Sequence, residues 1–301
     1  MPQTSAIATH TGHGKSWVRP EAKSGDLLYV TTLAGVKSYS YPRGKHVSTL
    51  KMFTYDNDGI CSDKKGDVFI DYGKWLLEYQ HGGKKPIQSL TQPGYYAFEC
   101  ASDPATGNLA VTWFLSEGTK VSSYVAVYQN GSGTPTLYSM KGMAPTYCGY
   151  DDKSNLFCDG LIANFAQGFL FAELPEGGNA LESVSLSQTI GWPGNVQWDG
   201  KYVAVQDENT NIIYGFTISG STGTLKRTVK LELVGKQYAI EHPTIVGKTV
   251  MEATIALVYS IQPYGYVNYY KYPEGGSPIK TISIGDDTAP NSLAVSVAPS
   301  H

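Results

Sequence analysis

One short motif returns six times along these 301 residues: a turn residue, then an apolar strand. It reads Asp26 in GDLLYV, Asp67 in GDVFID, Asn108 in GNLAVT, Asn155 in SNLFCD, Lys201 in GKYVAV and Lys248 in GKTVME, at steps of 41, 41, 47, 46 and 47 residues. A period of roughly 40 to 50 residues matches a unit of four short strands. Residues 66–103 show what one period holds: DVFID, WLLEY, PIQSL and YAFECAS have strand character and are separated by the turn signals Tyr72-Gly73, His81-Gly82-Gly83 and Pro93-Gly94. A sheet of this size cannot bury both faces alone, so each copy needs another on either side.

A second landmark keeps the same order. After each motif comes an aromatic or aliphatic strand ending in a glycine turn: VKSYSYPRGK, WLLEYQHGGK, YVAVYQNGSG, FLFAELPEGG, IIYGFTISGS and YVNYYKYPEGG. A fourth strand follows in HVSTL, PIQSL, PTLYSM, LESVSLS, LKRTVKLEL and PIKTISI. These landmarks predict an all-β fold, a six-bladed β-propeller of four-stranded antiparallel blades, as one domain over residues 26–299. The chain enters at a second strand and finishes with NSLAVSVAP, Asn291 to Pro299, which supplies the missing first strand. Laid beside Leu27 to Val30, it closes the ring and leaves only short outer edges exposed.

Composition agrees and excludes some functions. Tyrosine (22 copies) and glycine (33 copies) favour strands and tight turns over helices. A formal charge of -3 without a basic stripe argues against nucleic acid as a partner. No apolar run approaches the roughly 18 residues of a membrane helix. Residues 1–25 carry no periodicity and are expected to form an extended arm, in which Trp17 pins the arm to the body and His10 and His13 make only a weak metal motif. MPQTSAIATHTGHGKSW is polar throughout and carries no signal-peptide core, which leaves a cytoplasmic protein or one whose signal lies outside this sequence. Cys61, Cys100, Cys148 and Cys158 lack metal-type spacing, and their even number permits either disulfides or buried thiols. Cys148 and Cys158 flank the turn DDKSN, where a hairpin bridge is geometrically allowed.

In a propeller the innermost strand of each blade lines a central channel, and the loops leading into those strands form one rim. Here the lead-in segments are TYDNDGIC, QPGYYAFEC, MAPTYCGY, WPGNVQW, AIEHPTI and TAPNSLAV. Their polar members are Asp56, Asp58, Glu99, Asn195, Gln197, Glu241, His242 and Asn291, with Tyr95, Tyr96, Tyr147 and Trp192 as walls. Two readings follow. Asp58, Glu99, Asn195, Glu241 and Asn291 offer the oxygen ligands that a divalent ion (Ca, Mg or Zn) takes, with His242 or Glu99 moving protons. Alternatively the same residues line a hydrated channel.

Other motifs have structural readings. Asp63, Asp103, Asp151, Asp152 and Asp199 fall in the turns between first and second strands, on the opposite face, where Asp bonds the turn backbone. No calcium-loop spacing is present. No G-x-S-x-G elbow occurs, and Cys100 or Cys148 with His242 makes a weak thiol nucleophile.

YSYPRGK, PGYYAFECASDPATGNLAV, YCGYDDKSNLF and VQWDGKYVAV resemble the NHL-like six-bladed propellers, a superfamily that includes gluconolactonase and regucalcin-like lactonases, strictosidine-synthase-like proteins and uncharacterised secreted bacterial propellers. The last group is the nearest in pattern. The usual NHL third-strand signature is not evident. The resemblance implies an exported protein, extracellular or periplasmic. It also implies a lactonase-type Glu, Asn and Asp set, for which Glu99 or Glu241, Asn195 and Asp58 match by type and position.

The sequence therefore supports a secreted module that binds a small-molecule or protein ligand at the channel mouth. The alternatives are a metal-dependent lactonase or esterase-like hydrolase and a structural component of an extracellular assembly.

Overall fold

The computed structural model describes residues 22, 25–52, 59–117, 120–162, 166–235, 237–239, 242–258, 262–286 and 289–299. Six small antiparallel sheets stand around an axis, and among the described residues helix is confined to short 3-10 turns such as Gln129–Gly131. Blade 1 contains β1 (Leu27–Thr32), β2 (Gly35–Ser40) and β3 (His46–Leu50). Blade 2 runs from β4 (Ile60–Ser62) through β5 (Val68–Tyr72) and β6 (Trp75–Tyr79) to β7 (Gln88–Leu90). Blade 3 is β8 (Tyr96–Ser102), β9 (Leu109–Glu117), β10 (Lys120–Tyr128) and β11 (Thr136–Tyr138). Blade 4 is β12 (Met143–Tyr150), β13 (Leu156–Ile162), β14 (Ala166–Leu174) and β15 (Glu182–Ser183).

The last two blades each carry an extra piece. β16 (Ser185–Leu186) leaves blade 4 and pairs in parallel with β20 (Thr222–Lys230), the outer strand of blade 5. The segment LESVSLS, read from sequence as one fourth strand, is thus shared between two blades. The rest of blade 5 is β17 (Val196–Trp198), β18 (Val203–Asp207) and β19 (Ile212–Ser219). In blade 6, β21 (Gln237–Ala239) and β22 (Thr244–Val246) both pair with β23 (Thr249–Val258), followed by β24 (Gln262–Lys271) and β25 (Lys280–Asp286).

Closure follows the expected pairing. β26 (Pro290–Ser296) lies antiparallel to β1 with Leu27 opposite Ser296 and Val30 opposite Leu293, so the C-terminal strand is the innermost of blade 1. Gly66 is needed here: its φ is +85°, and a Cβ would stand 2.1 Å from the Val297 carbonyl oxygen.

The inner strands bury both faces because each blade is sandwiched between two others, while outer strands such as β11 and β15 stay exposed. In LLYVTT, Leu27 and Tyr29 face blade 2, packing with Ile60, Val68 and Tyr79, while Leu28 and Val30 face blade 6, packing with Met251, Val267 and Tyr269. One such apolar cluster fills each of the six gaps between blades. Each fully buried Leu or Val contributes about 1.5–3 kcal/mol. Of the segment read as an extended arm, Ala22 is buried in the cluster between blades 1 and 2, and the Gly25 carbonyl is bonded by His81; Trp17, His10 and His13 lie outside the described residues.

All four cysteines are paired. Cys61–Cys100 joins the innermost strands of blades 2 and 3, and Cys148–Cys158 links directly opposed residues of β12 and β13. The thiol-nucleophile reading therefore falls, because Cys100 and Cys148 carry no free thiol.

Candidate functional site

The channel holds a cavity of about 300 Å³ to which all six innermost strands contribute. Around one end lie Glu99, Asn195 and His242; around the other lie Ser62, Ser102, Pro104, Tyr150 and Trp198. The first is the end of the lead-in loops, the second that of the turns joining first to second strands.

At the lead-in end, side chains from three blades meet. Backbone bulges set two of them: the register slips between Ala97 and Glu99 in β8, and between Pro145 and Cys148 in β12. A bulge re-aims the side chains around it. Glu99 is bonded at Oε1 by the Cys100 amide (2.9 Å), and its Oε2 lies 3.1 Å from His242 Nδ1. The Tyr147 ring meets the His242 ring edge-on at 4.6 Å, and Phe98 packs against Tyr147 at 5.5 Å. His242 has φ +76° although it is buried and is not a glycine. That region costs a non-glycine residue roughly 1–3 kcal/mol, and such strain collects at functional sites.

Asp159, on β13, lies behind this pair and is fully buried. Thr146 Oγ1 (2.9 Å) and the Tyr147 amide (3.1 Å) donate to its Oδ1, and the Gly194 amide of blade 5 donates to its Oδ2 (2.9 Å). Burial pushes its carboxyl up to about 8, against the pull of those three donors and of the His242 ring. An imidazole clasped by one carboxylate, with a second carboxyl close by, can take up and release protons in a site shielded from water.

The other predicted residues divide into two groups. Asn195 and Gln197 line the cavity but hold blades together: Asn195 Nδ2 donates to the Pro243 carbonyl (2.8 Å), Gln197 Nε2 donates to Ile245 O (2.7 Å), and the Ile245 amide donates back to Gln197 Oε1 (2.8 Å). Ser62 and Thr244 do likewise, donating to the carbonyls of Val295 (2.6 Å) and Leu293 (2.7 Å) in β26. Tyr95, Tyr96, Trp192 and Asn291 do not line the cavity. Tyr95 packs edge-on against Tyr124, while Tyr96, beneath Lys74, and Trp192 are exposed on the lead-in face.

Asp56, Asp58 and Glu241 lie outside the described residues. Of the described members of the metal set, Glu99 bonds the Cys100 amide and lies against His242, and Asn195 donates to the Pro243 carbonyl.

Sequence reasoning passed over Asp159 because its partners lie 12 to 35 residues away, in two blades. The one signal was an acidic residue at an inward position of an otherwise apolar strand, LFCDGLI. At the turn end the reading is confirmed. Asp63 Oδ1 accepts from the Lys65 and Asp67 amides, Asp103 from Ala105, Asp151 from Lys153 and Asn155, and Asp199 from Lys201 and Tyr202, all between 2.7 and 2.9 Å. Asp152 is exposed beside them.

Among known proteins, no family model matches this chain, and no curated protein does. Solved structures do. A protein of unknown function from Bacteroides caccae is similar with a TM-score of 0.63 at 13% identity, over 90% of this chain and 99% of that one. A chain of a nidogen/laminin complex gives 0.63 at 11%, over 92% and 100%. The β-propeller domain of Cps50 (Swd1) from Myceliophteria thermophila gives 0.56 at 11%, over 90% and 87%. These likenesses concern the propeller fold alone.

Proposed function

We propose that this chain is a binding propeller that receives its ligand on the lead-in face, with one group of the ligand entering the channel. The observation that carries this is the distribution of exposed aromatic side chains. Trp75, Tyr96 and Trp192 all stand on the lead-in face, with Leu33 and Ile162 at second-to-third-strand turns on that same side. The Gly73 and Ala289 carbonyls, bonded by the Ala97 and Leu33 amides, tie those turns to the neighbouring lead-in loops. Exposed aromatics that share one face mark interaction surfaces. A cavity near 300 Å³ is at the small end for ligands, which suits a partner's side chain or a compact molecule. Two disulfides fit an oxidising compartment, so the proposal includes an extracellular or periplasmic site of action.

Peptides selected for binding to the wild-type protein test this reading. They should lose affinity at least tenfold on a Trp75→Ala/Tyr96→Ala/Trp192→Ala variant; undiminished binding would refute it. The hydrolase reading rests on the His242–Glu99 pair in the cavity wall. It predicts turnover in a lactone and ester panel that is lost in Glu99→Gln, and a metal-dependent form predicts loss on chelation as well.

A further inference from the structure

Away from the channel, the seam between blades 5 and 6 encloses a carboxyl with more acceptors around it than protons to share. Glu252 lies on β23, fully buried, on the side facing blade 5. Its Oε2 is 3.0 Å from the Tyr270 hydroxyl, which is also 3.1 Å from the Glu232 carbonyl. Tyr270 has one proton for two acceptors. On the other side Asn211 is the hydrogen-bonding neighbour of the carboxyl. With its amide nitrogen turned to the Leu231 carbonyl (3.3 Å), Asn211 Oδ1 lacks a donor, as does Glu252 Oε1. Turning the Asn211 amide over only moves the shortage to Leu231.

We propose that a proton held on Glu252 closes this seam and that the seam loosens when the proton leaves. As an acid, Glu252 donates either to Asn211 Oδ1 or to the Tyr270 oxygen, which frees the tyrosine proton for Glu232 O. As an anion it holds the Tyr270 proton, which leaves Glu232 O without that donor and its own Oε1 without any. The titratable groups that face it are Tyr270 from β24 and, across that ring, the Glu232 carboxylate, which Ser277 bonds. Farther along the seam Arg227 is closed on Asp199, with Tyr272 also donating to that carboxylate. Burial pushes the Glu252 carboxyl up to about 7. The same seam carries the Asn195–Pro243 and Gln197–Ile245 bonds beside His242, so loosening it releases one wall of the channel mouth.

The sign follows from linkage. A carboxyl raised in the folded state gives stability that is complete below the unfolded value and is lost as pH rises through the folded one, here from about 4.5 to about 7. Glu252→Gln keeps the shape and a permanent donor. Between pH 5 and 8 the wild-type folding equilibrium should weaken relative to Glu252→Gln by a factor on the order of a hundred, with amide exchange in β18–β20 and β22–β24 rising only in the wild type. The infrared carbonyl band of a protonated acid should be present in the wild type at pH 6 and absent in Glu252→Gln. A parallel pH profile in the two proteins, or no such band in the wild type, overturns the proposal.

Discussion

The two ends of the channel carry the same kinds of residue and hold them differently. At the turn end Asp63, Asp103 and Asp151 each bind amides two to four residues ahead and are held by their own turns, while Asp199 does the same at Oδ1 and takes Arg227 and Tyr272 at Oδ2. At the lead-in end Glu99 meets His242 from three blades on, and Asp159 collects donors from β12 and from the loop before β17. A group held locally keeps its setting whatever the rest of the chain does. One held by several blades depends on the whole ring and is removed from water by it, which is the setting in which charge and proton affinity respond to a ligand. On the reading proposed above, the turn end is architecture and the lead-in end is the site.

If that difference is real, substitutions at the two ends should not weigh alike. Asp159→Ala leaves two amides and a hydroxyl buried without a partner and should lower unfolding free energy by about 5 kcal/mol in denaturant titration. Removing the bridge between blades with Cys61→Ala/Cys100→Ala should cost about 4 kcal/mol, and Cys148→Ala/Cys158→Ala about 3 kcal/mol, following loop lengths set by separations of 39 and 10 residues. Asp151→Ala, at the turn end, should cost only about 1 kcal/mol. A loss there equal to that at Asp159 would erase the contrast.

The pH dependence sharpens the contrast. Asp67, Glu78 and Glu252 are raised by burial to about 6, 7 and 7, and Asp159 to about 8. Raised carboxyls give stability at low pH that is lost as pH climbs through their folded values, so Asp159 should dominate the slope between pH 7 and 8. Melting temperatures should show that slope in the wild type and in Asp151→Ala, and a flatter one in Asp159→Asn. The smallest effect belongs to Trp75→Ala, which should change stability by no more than about 0.5 kcal/mol because the side chain is exposed.

The same contrast explains what could be read in advance. Blade number, strand order and the pairing of β26 with β1 were legible because a strand and its turn are local patterns, and six copies of them fix the period. The turn aspartates were legible for that reason too. The pairing of His242 with Glu99, and the place of Asp159, depend on which innermost strands bulge and how far each blade is rotated, and no short stretch of chain encodes that. Cys61 and Cys100 share the difficulty: each stands on an innermost strand of adjacent blades, where the strands converge, yet 39 residues separate them. Asn195 and Gln197 pointed to the channel correctly, but their amides are committed to the backbone of blade 6.

The most direct test of the lead-in end as the binding end is to map where small fragments settle, by soaking crystals of the wild-type protein and following amide shifts in solution. Hits should cluster at Glu99, Tyr147 and His242 and weaken in His242→Gln. Occupancy confined to the turn end, beside Pro104 and Trp198, would contradict the account.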